Sequence, residues 1–165
     1  MNTSDSERNG PWDPLILQLA EGHLKLMYMA HTYMGRVLEH HGLHHVHYGV
    51  LQIVGGKMPP RNLETPVSVS DIARAMGMTP ATNTALIDRM ENMALLERTP
   101  DPTDRRVIRV RLLPKGEALL QELEDDWNQH AHELFAGVPR ADLQVVQEVI
   151  NTLESWYAQH MKEKP

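Results

Sequence analysis

Five arginines, Arg98, Arg105, Arg106, Arg109 and Arg111, crowd into fourteen consecutive positions. A guanidinium is a planar fork of donors that keeps its charge, so such a cluster suits phosphates, carboxylates or base edges. Upstream, Thr79, Pro80, Ala81, Thr82, Thr84 and Ala85 are all small, and Arg89 follows them. On a helix these residues offer a surface for close approach, with hydroxyls for hydrogen bonding and a cation further along. The third group is histidine: there are ten, and His40, His41, His44, His45 and His47 lie within eight residues. Imidazole suits zinc, so a zinc-responsive centre is one reading of the run. Gly42 interrupts it, however, and the chain has no cysteine. The simpler reading is a polar helix junction, with His44 at an N-cap and His47 facing a dimer interior. On that reading no metal is assigned.

Serine, histidine and aspartate are present, but no GxSxG elbow, HExxH helix, P-loop or GxGxxG turn organises them. No catalytic residue and no cofactor is therefore expected. The formal charge of -6 is unevenly spread. Ser68 to Gly116 holds eight basic and six acidic residues, and the remainder holds eight and sixteen. A basic segment on an acidic body attracts phosphates and disfavours other docking orientations. An apolar content of 41% supports a packed core. No run approaches the ~20 apolar residues needed to cross a membrane, and the polar stretch Met1 to Pro14 does not read as a signal peptide. These features lead us to expect a cytoplasmic protein without a membrane partner.

The elements that must position these groups can be read from periodicity. Asp13 to His40 carries Leu15, Ile16, Leu19, Leu26, Met27, Ala30, Met34, Val37 and Leu38 mostly at helical steps, and Gly42 stops it. A second helix runs from about His44 to Val54, followed by a Gly- and Pro-rich loop from Gly55 to Pro66. Ser68 with Asp71 resembles a capping box opening a short helix, with Ile72, Ala73 and Met76 inward and Gly77 at its end. Thr79 then Pro80 is a second start, with Leu86, Ile87 and Met90 as the buried face. Leu95 to Thr99 and Val107 to Leu112 read as strands. In the second, Ile108, Val110 and Leu112 point one way and Arg109 and Arg111 the other. Pro114 opens a further helix carrying Leu119, Leu120, Leu123, Trp127, Ala131 and Leu134. After Gly137 and Pro139 a last helix places Leu143, Val146, Ile150, Leu153 and Tyr157 on a heptad seam.

Helix, tight turn, helix, strand, charged loop, strand is the order of a helix-turn-helix with a β-hairpin wing. A major groove about 12 Å wide admits one helix, and a thin arginine-bearing hairpin fits the minor groove beside it. Here the residues resemble the multiple antibiotic resistance regulator (MarR) family. DPTDRRVIRVRLLPKGEAL, Asp101 to Leu119, is similar to that family's wing and the start of its next helix. SDIARAMGMTPATNTALIDRME, Ser70 to Glu91, is similar to its two DNA-binding helices, and GLHHVHYGVL, Gly42 to Leu51, to the start of its second helix.

The resemblance implies a mainly α fold with a small β-hairpin wing: a winged helix-turn-helix flanked by long N- and C-terminal dimerisation helices. It implies a flexible N-terminus over 1–12, supporting helices over 13–56, the DNA-binding region over 68–113 and dimerisation helices over 114–162, all in one intertwined domain. Thr79, Pro80, Ala81, Thr82, Thr84, Ala85 and Arg89 are then expected in the major groove. Asp104, Arg105 and Arg106 belong to the wing, Asp104 orienting an arginine, Arg106 in the minor groove and Arg105 on phosphate; Arg98 joins the DNA contacts. Ala94 and Leu113 replace the family's glycine and threonine, and the turn at Ala94 is expected to differ. Asn83 replaces an apolar residue, as a buried hydrogen-bonding group or as the mark of a shifted helix.

A homodimer on an inverted-repeat operator in duplex DNA follows, acting as a repressor. A small aromatic or phenolic effector, as in the family, would lie among Met27, Tyr28, His31, His47, Tyr48 and Leu51. The alternatives are the zinc-responsive regulator and a non-catalytic winged helix used for protein contact alone.

Overall fold

The computed structural model describes residues 13–58 and 66–160 of the 165-residue chain. The expectations for 1–12, for most of the Gly55–Pro66 loop and for the chain beyond 160 lie outside those residues. Six helices and three strands run in the order α1 (Pro14–His40), α2 (His45–Val54), β1 (Val67–Ser68), α3 (Val69–Met76), α4 (Pro80–Asn92), β2 (Leu96–Pro100), β3 (Ile108–Leu112), α5 (Pro114–Phe135) and α6 (Arg140–His160). The fold is mainly α with a small antiparallel sheet, a winged helix-turn-helix between long terminal helices. The chain divides into two compact units, 1–124 and 125–165.

Each helix start has a local cause. Asp13 accepts the Leu15 N–H at 2.7 Å ahead of Pro14, and Ser68 Oγ accepts the Asp71 N–H at 3.1 Å. The stops of α1, α3 and α4 share one geometry. The left-handed residue after the helix bonds back to a carbonyl of the last turn, and an apolar residue then bonds one step further back. Gly42 with Leu43 does this for α1, and Gly77 with Met78 for α3. For α4 the left-handed position is Ala94, at φ 57°, with Leu95 N–H bonded to the Met90 carbonyl at 3.0 Å. The turn thus holds an alanine in the left-handed conformation that favours glycine. The flanking pair Met90 and Leu95 is fully buried and holds the turn in place.

The sheet has a strand that periodicity did not reveal. β1 is only Val67–Ser68, too short to show alternation, and it pairs with β3 at Val67↔Val110 to give the order β1-β3-β2. The core of the first unit gathers Leu38 and Leu43, Val50 and Leu51, Ile72, Ile87 and Met90, Leu96 and Val110, and Leu120 and Leu123. Ile108 does not join it. It pairs with Pro100 at the loop end of the hairpin and is 36% exposed, while Val110 is fully buried. His47 is also turned into this core, 2% exposed within a single chain, rather than facing a second copy.

Two long apolar faces stay uncovered within their own units. On α1, Leu15, Ile16, Leu19, Leu26 and Met27 are exposed. α6 buries nothing, and Val146, Ile150, Leu153 and Tyr157 of the heptad seam stand open.

Candidate nucleic-acid interface

Helix α4 divides sharply into two faces. Asn83, Leu86, Ile87 and Met90 are buried, whereas Thr79, Pro80, Ala81, Thr82, Thr84, Ala85 and Arg89 are exposed. Thr79 caps the helix by accepting the Thr82 N–H at 3.2 Å, and the two hydroxyls are bonded at 2.9 Å. Asn83 resolves in favour of the buried hydrogen-bonding group. Its Nδ2 donates to the Val69 carbonyl at 2.9 Å, tying α4 to the start of α3, and the helix starts at the Thr79 cap.

The wing is organised by two aspartates. Asp101 is buried, and its Oδ1 accepts from Thr103 N–H, Thr103 Oγ1 and Asp104 N–H, while its Oδ2 takes Arg109 Nε at 2.7 Å. These bonds, the Thr103 hydroxyl first, hold the Asp101 carboxyl far below the usual carboxylate range. Arg109 also reaches the Pro66 carbonyl at 3.0 Å, fastening the loop end of the hairpin to the residue before β1. Sequence reasoning assigned Asp101 no role. The signal was the Asp-Pro-Thr order, in which an aspartate can bond the backbone two residues on.

Asp104 forms a bidentate pair with Arg106, Nε to Oδ1 at 3.0 Å and Nη2 to Oδ2 at 2.9 Å, and also accepts the Arg106 N–H. The pair lowers the Asp104 carboxyl and raises the Arg106 guanidinium from their ordinary values. The Arg106 side chain is nonetheless 90% exposed, so it is aimed without being hidden. Arg105 is exposed beside it.

The remaining arginines of the cluster are committed inside the chain. Arg98, expected among the DNA contacts, lies between β2 and α4, pairing with Asp88 at 2.6 Å and with Glu91. Its Nη2 donates to the Thr84 carbonyl and its backbone N–H to Glu91. Three acceptors converge on one cation because β2 leaves the end of α4 at this point, and the side chain is left only 23% exposed. Arg111 pairs with Glu97 across the strands.

α3, α4 and the wing enclose an open cavity of about 490 Å³, lined among others by Ser70, Arg74, Thr84, Arg98 and Arg106. Thr84 of the exposed α4 face and the oriented Arg106 thus border one concave surface. A second cavity of about 580 Å³ lies between the end of α2, β3 and α5, lined by Val54, Lys57, Arg111, Leu120 and Glu124 among others.

The residues expected to hold an effector do not converge in a single chain. Met27, Tyr28 and His31 are exposed on α1, His47 and Leu51 are buried, and Tyr48 is partly buried. None of the six lines either cavity. Among the described residues no three His, Asp or Glu side chains gather as a metal site, and no helix is long and apolar enough to cross a membrane.

Comparison with known proteins agrees with this geometry. Residues 64–108 match the MarR family. YsmB of Bacillus subtilis, an uncharacterised HTH-type transcriptional regulator, is 31% identical over 88 residues. That stretch covers 53% of this chain and 60% of YsmB, less than two thirds of its length. A MarR family protein from Bacillus stearothermophilus superposes with a TM-score of 0.71 at 22% identity, over 90% of this chain and 96% of that one. A mutant of MepR from S. aureus, solved bound to an oligodeoxyribonucleotide, gives 0.62 at 15% identity, over 83% and 96%. The two structures share the fold with this chain.

Proposed function

From the premise that residues 64–108 are a MarR-family segment within a winged helix-turn-helix, we propose that this protein is a sequence-specific duplex DNA-binding transcription regulator without catalytic activity. The observation that carries the reading is the shared concave surface: the small, hydroxyl-bearing face of α4 opens beside Arg106, which Asp104 holds outward. A helix entering the major groove must be free of bulky side chains at its leading end, and α4 is. An exposed, oriented arginine at a hairpin tip suits the narrow minor groove. The DNA-bound MepR mutant shares this fold, which supports the same partner here.

Two copies act together in this reading. The uncovered faces of α1 and α6 pack against a second chain, and the twofold axis presents two α4 helices about 34 Å apart on an inverted repeat. The protein acts as a repressor from the cytoplasm. Affinity for a duplex chosen by selection from random sequences, measured across salt, tests the reading. Binding must be specific and fall steeply as salt rises. Arg106→Ala weakens it by about 1–3 kcal/mol, whereas equal affinity in that variant removes Arg106 from the interface.

A further inference from the structure

The histidine run does not serve the DNA interface directly, yet four of its members and neighbours meet where α1 joins α2. His31 of α1 and His45 of α2 stack face to face, their ring centroids 3.6 Å apart and 16° from parallel. The stack needs room on α1 one turn beyond His31, and Gly35 provides it: a Cβ there would lie 3.2 Å from His45 Nε2. Alongside, His44 caps α2 and its backbone N–H donates to His47 Nδ1 at 2.9 Å. An Nδ1 that accepts carries no proton, so the neutral His47 ring keeps its hydrogen on Nε2. That Nε2 is buried and has no hydrogen-bond partner among the described residues.

The stack and the cap tolerate neutral rings and penalise cations, and burial outweighs the backbone hydrogen bonds, with His31 for His45 and with His44 for His47, that favour charge. A proton on His47 Nδ1 would set donor against donor at the α2 cap and place charge in the core. Protons on both His31 and His45 would set like charges face to face at 3.6 Å. The charged groups that bear on these rings share one sign: His31 from α1, His44 from the turn, and Arg89 from α4. Burial first, then His31, holds His45 below its ordinary value; burial first, then Arg89, does the same for His47. α2 packs in one core with α4, whose exposed Arg89 the reading above places against DNA, so loosening α2 disturbs the helix that presents it.

We propose that the His31–His45 stack and the His44–His47 cap form a proton-sensitive junction, which loosens α2 in acid and lowers affinity for DNA. The second half of the proposal rests on the functional reading above; the first does not. The direction is distinctive. Acidification makes a protein more positive, which by itself tightens binding to phosphates. The junction predicts the opposite.

The test is side-chain NMR titration of the histidines in the full-length protein, with amide-exchange protection of residues 47–50 followed from pH 7.5 to 5.5. His45 and His47 should titrate below the ordinary value near 6.5, and protection should fall about tenfold for each pH unit in which one proton is linked to opening. His47→Gln, which can accept the His44 N–H without titrating, should flatten the fall. His31→Gln alters an exposed position and should raise the His45 midpoint; His160→Gln should change nothing. With a selected duplex at constant salt, the wild type should bind more weakly at pH 5.5 than at 7.5, and His47→Gln should not. Protection that is constant over this range, or two rings that protonate near 6.5 without loss of it, overturns the junction. Tighter binding in acid with the protection loss present overturns the coupling to DNA. Failure of any duplex to bind would count against the functional reading and leave the NMR result to stand alone.

Discussion

Arg98 Nη1 lies 2.6 Å from Asp88 Oδ1, so a cation on the first strand of the wing is anchored to the exposed side of α4. With Glu91 and the Thr84 carbonyl it fixes the angle between α4 and the hairpin. Arg98→Met should therefore cost about 1 kcal/mol of stability, the scale of a partly exposed pair, and narrow the affinity gap between selected and scrambled duplexes. The salt dependence should stay as in the wild type. A slope reduced by about one would instead mark a direct phosphate contact.

At Ala94 the chain holds an alanine in the left-handed region, at φ 57°. Left-handed backbone costs an L-residue about 1–2 kcal/mol, partly offset by glycine's greater freedom in the unfolded chain. Ala94→Gly should raise the free energy of unfolding in urea by up to about 1 kcal/mol without altering DNA affinity.

Gly116 makes the opposite case. A Cβ there would lie 2.0 Å from the Leu95 carbonyl oxygen, and that carbonyl already accepts the Leu113 N–H. Because backbone opposes it, Gly116→Ala should lower the urea midpoint by an amount equivalent to about 3 kcal/mol. A neutral outcome would show that α5 can move away from the α4–β2 turn.

Asp101 sets an acid limit on the wing. Its folded carboxyl is held below the unfolded value, so its contribution is complete above about pH 3.9 and is lost as pH falls through the lower folded value. Asp101→Asn should lower stability at pH 7, where the charge is present, and flatten the acid limb of a stability–pH curve. The same limb in both proteins would mean that Asp101 gains nothing from its four bonds.

The uncovered seam on α6 gives a fifth expectation. Ile150→Glu or Leu153→Glu should shift sedimentation from dimer to monomer and abolish binding to the inverted repeat, because both residues are open on a heptad face. A variant that remains dimeric would place the interface elsewhere.

Much of this was legible because it is local. The Thr79-Pro80 start, the Gly77 stop and the alternation around Val110 each act within a few residues, and the structure has them where the sequence puts them. The rest depends on distance. β1 exists only because Val67 finds Val110 forty-three residues on. Arg98 reads as a free cation until Asp88 and Glu91 are brought beside it. His47 looked like an interface residue, since composition does not distinguish a polar ring in a core from one between subunits. Asp104 with Arg106 was expected from the family resemblance; Arg109 with Asp101 and Pro66 was not.

The most direct test of the interface is a hydroxyl-radical footprint of the full-length protein on a duplex obtained by selection. The account predicts an inverted repeat protected on one face in two patches about one helical turn apart, with flanking minor-groove protection that Arg106→Ala removes. A single asymmetric patch, or a footprint indifferent to Arg106 and to Thr82→Val on α4, would contradict it.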